Sequence, residues 1–504
     1  MRRPYPFCVI RGATQIPLVP RITCGALQIG RRRIVAGPAE PKRILTGDVS
    51  DLLLLTGGIL TRKLAITWHK NAPRNGGYSE LRFSRGVPSG GGLYPYCIYL
   101  ISLTPRVLQP AVYHYDTAHH GLHRIRVGQY SSFLETILNC EVRNHFDVFF
   151  VVVCRFWRSA FKYGRFSYKV IMQDMGAVIG GMEQIAFSLS WGTTVFHYFV
   201  DRLMGQLLGL DERVEAPFVV VGVRCDARAM TWGRTNSETC VTELPTTAFQ
   251  HRERSPASAP LDYIRDIHKS TLLDRAHRPP QIAMHSPPSM LSEKLKPIVG
   301  RDLVAALLKR ETTWGQITSG GPELDREILM ALMVFAWSGS GYVADLYDAA
   351  GRLPLLRVEV FVRNVTGLAA GLYRYDGETA ELVDNRGCSH EHILRHSFAV
   401  HQNVDQVPVV VYLVGKFREV LDSLGQRGMR VMNAEAGIFT ERTYLACAAL
   451  SLGCGAVLGF DAGGIGTALN LDVKAEIPLL AILIGPRRPK AIAFDFQLLP
   501  LASI

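Results

Sequence analysis

Short runs of apolar residues alternate along the chain with longer stretches in which apolar residues recur at helical spacing. Residues 97–103, 148–154 and 218–223 are such runs in the first half, and their length predicts buried strands. Between the last two runs, residues 172–191 carry apolar side chains at helical spacing, and Gly192 follows as the stop. We therefore predict a mixed α+β fold.

The second half of the chain repeats this order. Residues 407–414 and 479–484 predict strands, and residues 433–451 predict the helix between them. Landmarks recur at a constant offset of 261 residues: Phe156 with Phe417, Gly164 with Gly425, Gly176 with Gly437, Gly192 with Gly453, Asp211 with Asp472, Glu215 with Glu476 and Pro217 with Pro478. Upstream, residues 113–116 match residues 373–376, and Pro95 matches Pro354. A period this long indicates duplication of a whole domain, because solenoid repeats are only about 20 to 50 residues long.

The composition changes between the two copies. Residues 251–297 are rich in proline, serine, arginine and histidine, which predicts a linker or an arm wrapped on the partner domain. We expect a basic N-terminal segment at residues 1–50, a first domain at 51–250 and a second at 298–504. Small residues in the first predicted helix would let another helix approach closely: Gly176, Gly180 and Gly181.

Composition and charge limit the possible functions. The chain has 504 residues, 48% hydrophobic and 20% charged, which is typical of globular proteins. Its net charge of +12 favours a phosphate-bearing cofactor or an acidic peptide, or is simply diffuse; nucleic acid ranks lower because no known binding motif accompanies the arginines. The apolar runs are far shorter than the roughly 20 residues that cross a bilayer, so we expect a cytoplasmic protein without a membrane segment. The ten cysteines lack zinc-ligand spacing, so we expect no metal and mostly buried, reduced thiols.

Two segments of the first half carry candidate chemistry. Residues 85–95 form a glycine-rich turn whose backbone amides could face a planar or anionic ligand, although a plain turn is the commoner explanation. Lys162 and Tyr163 follow the strand predicted at 148–154. A neighbouring ammonium lowers the pKa of a phenol and burial lowers that of an amine, so we expect both groups to titrate nearer neutral pH. A functionless pair at an exposed helix start is the alternative.

As a set, these landmarks resemble a known family. The chain carries Arg-x-x-Pro-Ser-Gly-Gly-x-Leu-Tyr-Pro at 85–95, Tyr-x-Tyr-Asp at 113–116, the Lys-Tyr pair, Leu-Gly-Leu-Asp at 208–211 and Glu-x-Pro at 215–217. This order is similar to that of the FMN-dependent peptide dehydrogenases of the nitroreductase superfamily, the azoline oxidases of the streptolysin-S and microcin type. The resemblance covers about the first 220 residues well, and the second half shares only the scaffold.

The resemblance implies tandem nitroreductase-like FMN-binding domains that exchange arms, form an intramolecular pseudo-dimer and hold FMN in the groove between them. By match to the family loop, cofactor contacts are assigned to Arg85, Pro88, Ser89, Gly90 and Gly91, with Arg224 and Arg310 as looser phosphate candidates. Lys162 and Tyr163 match the catalytic pair. The implied reaction oxidises a peptide thiazoline or oxazoline to the azole. The implied partners are a modified precursor peptide and a cyclodehydratase or other biosynthetic enzymes, and neither nucleic acid nor a membrane is expected.

The second half lacks these side chains. The residues that fall on Lys162, Tyr163, Arg85, Pro88 and Ser89 are, in that order, Ser423, Leu424, Ala344, Tyr347 and Asp348. We therefore predict one working flavin site per chain and an empty mirror site. Two alternatives stay open: a general nitro- or quinone reductase that uses NAD(P)H, and a non-catalytic scaffold that binds a peptide or a biosynthetic enzyme.

Overall fold

The computed structural model describes residues 9–10, 12–22, 25–30, 44–64, 81–224, 244, 247, 251–252, 261–275, 291–313, 317, 324–338, 343–346, 355–385, 398, 404–487 and 494–497. The strands are β1 (Val9–Ile10), β2 (Thr14–Pro17), β3 (Ile59–Leu64), β4 (Leu81–Arg85), β5 (Tyr96–Ser102), β6 (Ala111–Asp116), β7 (Gly121–Val127), β8 (Val148–Arg155), β9 (Gly192–Phe196), β10 (Glu215–Arg224), β11 (His251–Arg252), β12 (Val343–Ala344), β13 (Leu356–Val362), β14 (Gly371–Asp376), β15 (Glu381–Asp384), β16 (Val409–Gly415), β17 (Leu452–Val457), β18 (Ile477–Pro486) and β19 (Phe494–Gln497). The helices are α1 (Thr46–Gly57), α2 (Ser131–Leu138), α3 (Trp157–Tyr163), α4 (Ser167–Ser188), α5 (Asp201–Leu208), α6 (Asp262–Ser270), α7 (Leu291–Lys294), α8 (Leu303–Lys309), α9 (Arg326–Ser338), α10 (Phe417–Leu424), α11 (Gly428–Ala449) and α12 (Ala462–Ala468).

The two halves build sheets with the same strand order. The first sheet contains β9-β10-β8-β5-β6-β7, and the second contains the equivalent strands β17-β18-β16-β13-β14-β15. In both sheets the register shifts directly after a proline, at Phe218 in β10 and at Leu479 in β18. Proline cannot donate to the ladder, which favours a bulge at this point. The bulges lie 261 residues apart, as the repeat in the sequence does.

The strands predicted from apolar runs are confirmed as β5, β8, β10, β16 and β18. The two predicted helices are also confirmed, but each begins earlier than the apolar spacing indicated. Helix α4 begins at Ser167 and α11 begins at Gly428. Their first turns mix polar residues with buried apolar ones, Val170 and Ile171 in α4 and Val431 and Met432 in α11, and these apolar residues belong to the same helices.

Segments of each half cross to the other. Strand β12 of the second half lies parallel to β9 at the edge of the first sheet, and β19 pairs with β3 in a small sheet with β4. In the segment predicted as a linker, α6 brings His268 between Tyr168 of the first half and Arg430 of the second, with its Nδ1 3.1 Å and 3.0 Å from their polar atoms. Buried apolar side chains of both halves form one continuous cluster.

Helices α4 and α11 cross at glycines related by the repeat. A Cβ added to Gly176 would lie 2.0 Å from the carbonyl oxygen of Ala434, and one added to Gly437 would lie 2.0 Å from that of Gln173. The backbones therefore meet without side chains between them, and the predicted close approach of a helix is confirmed. The Nε2 of Gln173 donates to Oδ1 of Asn433 at 3.2 Å beside this crossing.

The described helices include none that is both long enough and apolar enough to span a membrane. Within the same residues, histidine, cysteine and carboxylate side chains form no group of three or more that could hold a metal ion. The thiols of Cys97, Cys140, Cys154, Cys447 and Cys454 are buried and form no disulfide, as predicted for cysteines in general.

Candidate functional site

The glycine-rich loop and the Lys-Tyr pair meet in space. The loop follows β4, and Gly91 and Gly92 adopt positive φ angles of 64° and 63°. A Cβ on Gly91 would lie 2.6 Å from the Nζ of Lys162 and 2.6 Å from the Oη of Tyr163. Only glycine leaves room for both head groups at this point, so the two motifs that lie far apart in the sequence form one site.

Helix α3 ends at the pair, and Gly164 reverses the chain after it with a φ of 52°. The Nζ of Lys162 lies 5.2 Å from the centroid of the Tyr163 ring. Burial, with a smaller contribution from the charge of Asp174, raises the pKa of Tyr163 to about 12. Our expectation that the phenol would titrate nearer neutral pH is therefore wrong, because desolvation outweighs the nearby ammonium. Tyr163 is a neutral hydrogen-bond donor at physiological pH.

Asp174 of α4 anchors the loop, although it belongs to none of the sequence motifs. Its carboxylate accepts hydrogen bonds from the hydroxyl of Ser89 at 2.7 Å and from the N–H of Gly90 at 2.8 Å. The Ser89 oxygen also accepts from the N–H of Tyr94 at 2.9 Å. Burial raises the pKa of Asp174 to about 7, although both hydrogen bonds oppose this shift. A lone carboxylate on an apolar helix face was the available signal in the sequence.

Two of the three arginines assigned to the cofactor, Arg85 and Arg310, contact other groups. Arg85 is buried, with its guanidinium carbon 4.8 Å from the ring centroid of Tyr94 and 5.2 Å from that of Tyr96. The buried guanidinium of Arg310 donates to the carbonyls of Arg85, Gly86 and Val87 at 2.6, 2.8 and 3.2 Å. Arg310 thus fixes the start of the loop from the second half of the chain, whereas the side chain of Arg224 lies outside the described residues.

A cleft of about 300 Å³ opens at this loop. Its described lining comes from both halves and excludes Arg85 and Arg310: Pro88, Ser89, Gly90, Gly91, Lys162, Tyr163, Val170, Gln173, Asp174, Ala177, Thr312, Gly437, Thr440, Tyr444, Ala456, Val457, Leu458, Gly459 and Leu480. Glycines bring backbone against the cavity, apolar side chains form much of its wall, and a few hydroxyl, amide, amine and carboxyl side chains complete the lining. This combination fits a planar ring system such as that of a flavin.

The described part of the mirror position carries polar side chains. The residues that correspond to Leu458 and Gly459 are His197 and Tyr198, and their N–H groups both donate to the Asp345 carboxylate at 2.9 Å. Arg427 donates to the His197 carbonyl at 2.8 Å, as part of a buried network with Asp201. The first cleft has Leu458 and Gly459 in its wall, whereas the equivalent residues His197 and Tyr198 are bonded to polar side chains. Ala344 lies in β12, and Tyr347 and Asp348 lie outside the described residues.

Comparison with solved structures identifies this architecture. The crystal structure of a protein described as a nitroreductase from Anabaena variabilis matches with a TM-score of 0.71 at 21% identity, covering 97% of this chain and 94% of that one. Residues 324–486 match the sequence model of the nitroreductase family. This match lies in the second half, which keeps the scaffold although its Lys-Tyr pair is substituted. The chain therefore has the nitroreductase-like α+β fold.

Three curated relatives match parts of the chain. A protein of Methanocaldococcus jannaschii named as a nitroreductase is 27% identical over 137 residues, which are 27% of this chain and 68% of that protein. The microcin B17-processing protein McbC of Escherichia coli is 23% identical over 144 residues, or 27% and 52% of the two chains. The trifolitoxin-processing protein TfxB of Rhizobium leguminosarum is 31% identical over 138 residues, or 26% and 37%. The chain thus spans about half of McbC and a third of TfxB. Over these parts, the chain is similar to nitroreductases and to two peptide-processing proteins.

Proposed function

We propose that the chain is an FMN-dependent dehydrogenase that oxidises an azoline in a ribosomally made peptide to the azole. The observation that carries this proposal is the convergence of Lys162 and Tyr163 on Gly91 in a cleft whose walls come from both halves. The names of two relatives, which process microcin B17 and trifolitoxin, support a peptide as the substrate. The partners would then be the modified precursor peptide and the cyclodehydratase that makes its azolines.

In this proposal the two halves form an intramolecular pseudo-dimer. Residues 51–250 supply the loop and the Lys-Tyr pair, and residues 298–504 complete the cleft with α11 and the end of β17. Residues 251–297 form the arm between them. FMN would lie against Pro88, Ser89, Gly90 and Gly91, and Arg85 and Arg310 would shape this loop from behind it.

Oxidation of an azoline removes a proton from one ring carbon and a hydride from its neighbour. FMN, when bound, supplies the hydride acceptor, and dioxygen is the final acceptor of the two electrons. Lys162 would accept the proton, because it lines the cleft and its Nζ lies beside Gly91 of the loop. Tyr163, with its raised pKa, would donate a hydrogen bond to the substrate and polarise the ring rather than act as a base. Gly91 holds both groups at one point of the wall.

The test uses substitution of the pair. Lys162→Ala and Tyr163→Phe are each expected to lower azole formation by about 10²-fold or more, the usual contribution of acid–base catalysis, while FMN stays bound. Lys474→Ala and Tyr130→Phe are the matched controls, since Lys474 is exposed and the half-buried Tyr130, whose hydroxyl donates to the Val127 carbonyl, does not line the cleft. Azole formation is measured by the mass loss of the peptide and FMN by its visible absorption. Unchanged azole formation in Lys162→Ala would refute the proposed role.

Stoichiometry tests the asymmetry of the two clefts. We expect one FMN per chain, because the residues that mirror Leu458 and Gly459 are bonded to Asp345 and Arg427 and the mirror copy lacks the Lys-Tyr pair. Two FMN per chain would contradict the proposal. One relative is named as a nitroreductase, so a general nitro- or quinone reductase is the alternative function. Reduction of menadione with NAD(P)H is the assay for it. A menadione rate far above peptide oxidation would favour the reductase, and a purified protein that binds no FMN would favour a non-catalytic scaffold.

A further inference from the structure

Ser89 and Asp174 form a closed hydrogen-bond arrangement on the wall of the cleft. The hydroxyl of Ser89 gives its only hydrogen to Oδ2 of Asp174, and its oxygen accepts from the N–H of Tyr94. The other carboxylate oxygen, Oδ1, accepts from the N–H of Gly90. In this state the Ser89 hydroxyl has no hydrogen left to offer to a ligand in the cleft, although the residue lines it.

Protonation of Asp174 changes the direction of one hydrogen bond. A proton on Oδ1 would face the Gly90 N–H, so two donors would oppose each other. A proton on Oδ2 keeps the Gly90 bond and lets the acid donate to the Ser89 oxygen. That oxygen then accepts from both Asp174 and Tyr94, so its own hydrogen must turn towards a new acceptor. Ser89 lines the cleft, so a ligand bound there can supply that acceptor.

The surroundings allow Asp174 to titrate near neutral pH. Burial raises its pKa from 3.8 to about 7. The ionisable groups that face it are Tyr96 of β5, Cys154 of β8, and Lys162 and Tyr163 of α3. The pKa values of Tyr96, Cys154 and Tyr163 are all raised by burial, so these three groups stay neutral near pH 7.

We infer that Ser89 and Asp174 are a proton-controlled donor pair: neutral Asp174 turns the Ser89 hydroxyl hydrogen into the cleft towards a flavin acceptor, and ionised Asp174 withdraws it. The inference rests on the proposed FMN site. It adds a positioning role for Asp174, which acts through Ser89 and the loop. It also makes flavin affinity depend on pH.

Two substitutions separate the states. In Asp174→Asn, the amide oxygen can accept from the Gly90 N–H and the amide nitrogen must donate to Ser89, which imitates the neutral acid permanently. In Ser89→Ala, no hydroxyl remains to turn. One hydrogen bond is worth about 1 kcal/mol, which corresponds to roughly fivefold in affinity. Wild type should therefore bind flavin about fivefold more tightly at about pH 5.5 than at about pH 8.5. Asp174→Asn should bind tightly at both values and Ser89→Ala weakly at both.

Riboflavin is measured beside FMN by fluorescence quenching, because it lacks the phosphate that itself titrates in this range. Thermal unfolding of each variant confirms that it folds. Infrared spectroscopy of the flavin-free protein should show a carboxylic acid band that titrates near neutral pH and is absent in Asp174→Asn. If wild type binds neither flavin, the proposed cofactor and this inference both fall. If wild type binds flavin with the same affinity at both pH values, the inference falls and the proposed function stands. The same conclusion holds if both variants weaken flavin binding alike.

Discussion

Gly437→Ala should push the two halves of the cleft apart. A Cβ at this position would lie 2.0 Å from the Gln173 carbonyl oxygen and 2.9 Å from the Ala177 nitrogen, whereas ordinary contact begins at 3.4 Å. Both obstacles are backbone atoms of α4, so no side-chain rotation relieves them. The crossing helices must separate by more than about an ångström to admit the methyl group.

The magnitude follows from two opposing terms. Alanine gains roughly 0.5–1 kcal/mol over glycine in a helix, while forcing a methyl group into a packed interface costs about 1–3 kcal/mol. We expect a net loss of about 1–2 kcal/mol in the free energy of unfolding. Gln173, Ala177 and Gly437 also line the cleft. Their separation should therefore weaken FMN binding by about tenfold or more, since misplacement by an ångström disrupts a preorganised site.

Gly466→Ala is the matched control. Gly466 lies in α12, and a Cβ there would meet nothing within 4 Å. The control should gain up to about 1 kcal/mol and leave FMN affinity unchanged. Urea denaturation and flavin fluorescence titration measure both variants. If Gly437→Ala is as stable as the control and binds FMN equally well, the close crossing does not hold the cleft together.

Three further predictions concern the loop and its anchors. Gly91→Ala should abolish the cleft geometry and FMN binding. Gly92 has the same positive φ, but a Cβ there would meet no atom within 4 Å, so Gly92→Ala should lose only about 1–2 kcal/mol of stability and still bind FMN. Flavin titration distinguishes the two variants. Arg310→Lys should lose about 1–3 kcal/mol in urea denaturation, because an ammonium cannot span three carbonyls as the guanidinium does. Burial raises the pKa of Asp174 to about 7, so the folded state binds its proton more tightly than the unfolded state. Wild-type stability relative to Asp174→Asn should therefore fall as pH rises from about 4 to about 7, measured by urea denaturation at each pH.

Periodicity predicted the main strands and the two crossing helices because these elements bury continuous apolar faces. The small residues of the first helix, Gly176 among them, predicted the close approach of another helix, but not that the partner would be the repeat-related helix at Gly437. That only one copy keeps a working site stays a prediction. The motifs led to Gly91, Lys162 and Tyr163, which the fold brings together.

Other features depend on tertiary contacts that no linear pattern records. Asp174 matters because α4 places it under Ser89 and Gly90, residues distant in the sequence. Arg310 was assigned to a phosphate, yet its guanidinium faces three backbone carbonyls of the other half. The pKa of Tyr163 was misjudged because its burial is set by the cleft and not by its neighbour Lys162.

The walls of the cleft belong to one polypeptide, and their apolar residues form one cluster. A cleft assembled from two separate chains would be lost on dilution, because its halves would dissociate. Here the second wall is always tethered to the first, so cofactor binding should not change with protein concentration. The two halves also have separate sequences, so a substitution in one half leaves the other half unchanged. In an assembly of identical subunits, every substitution appears in all copies.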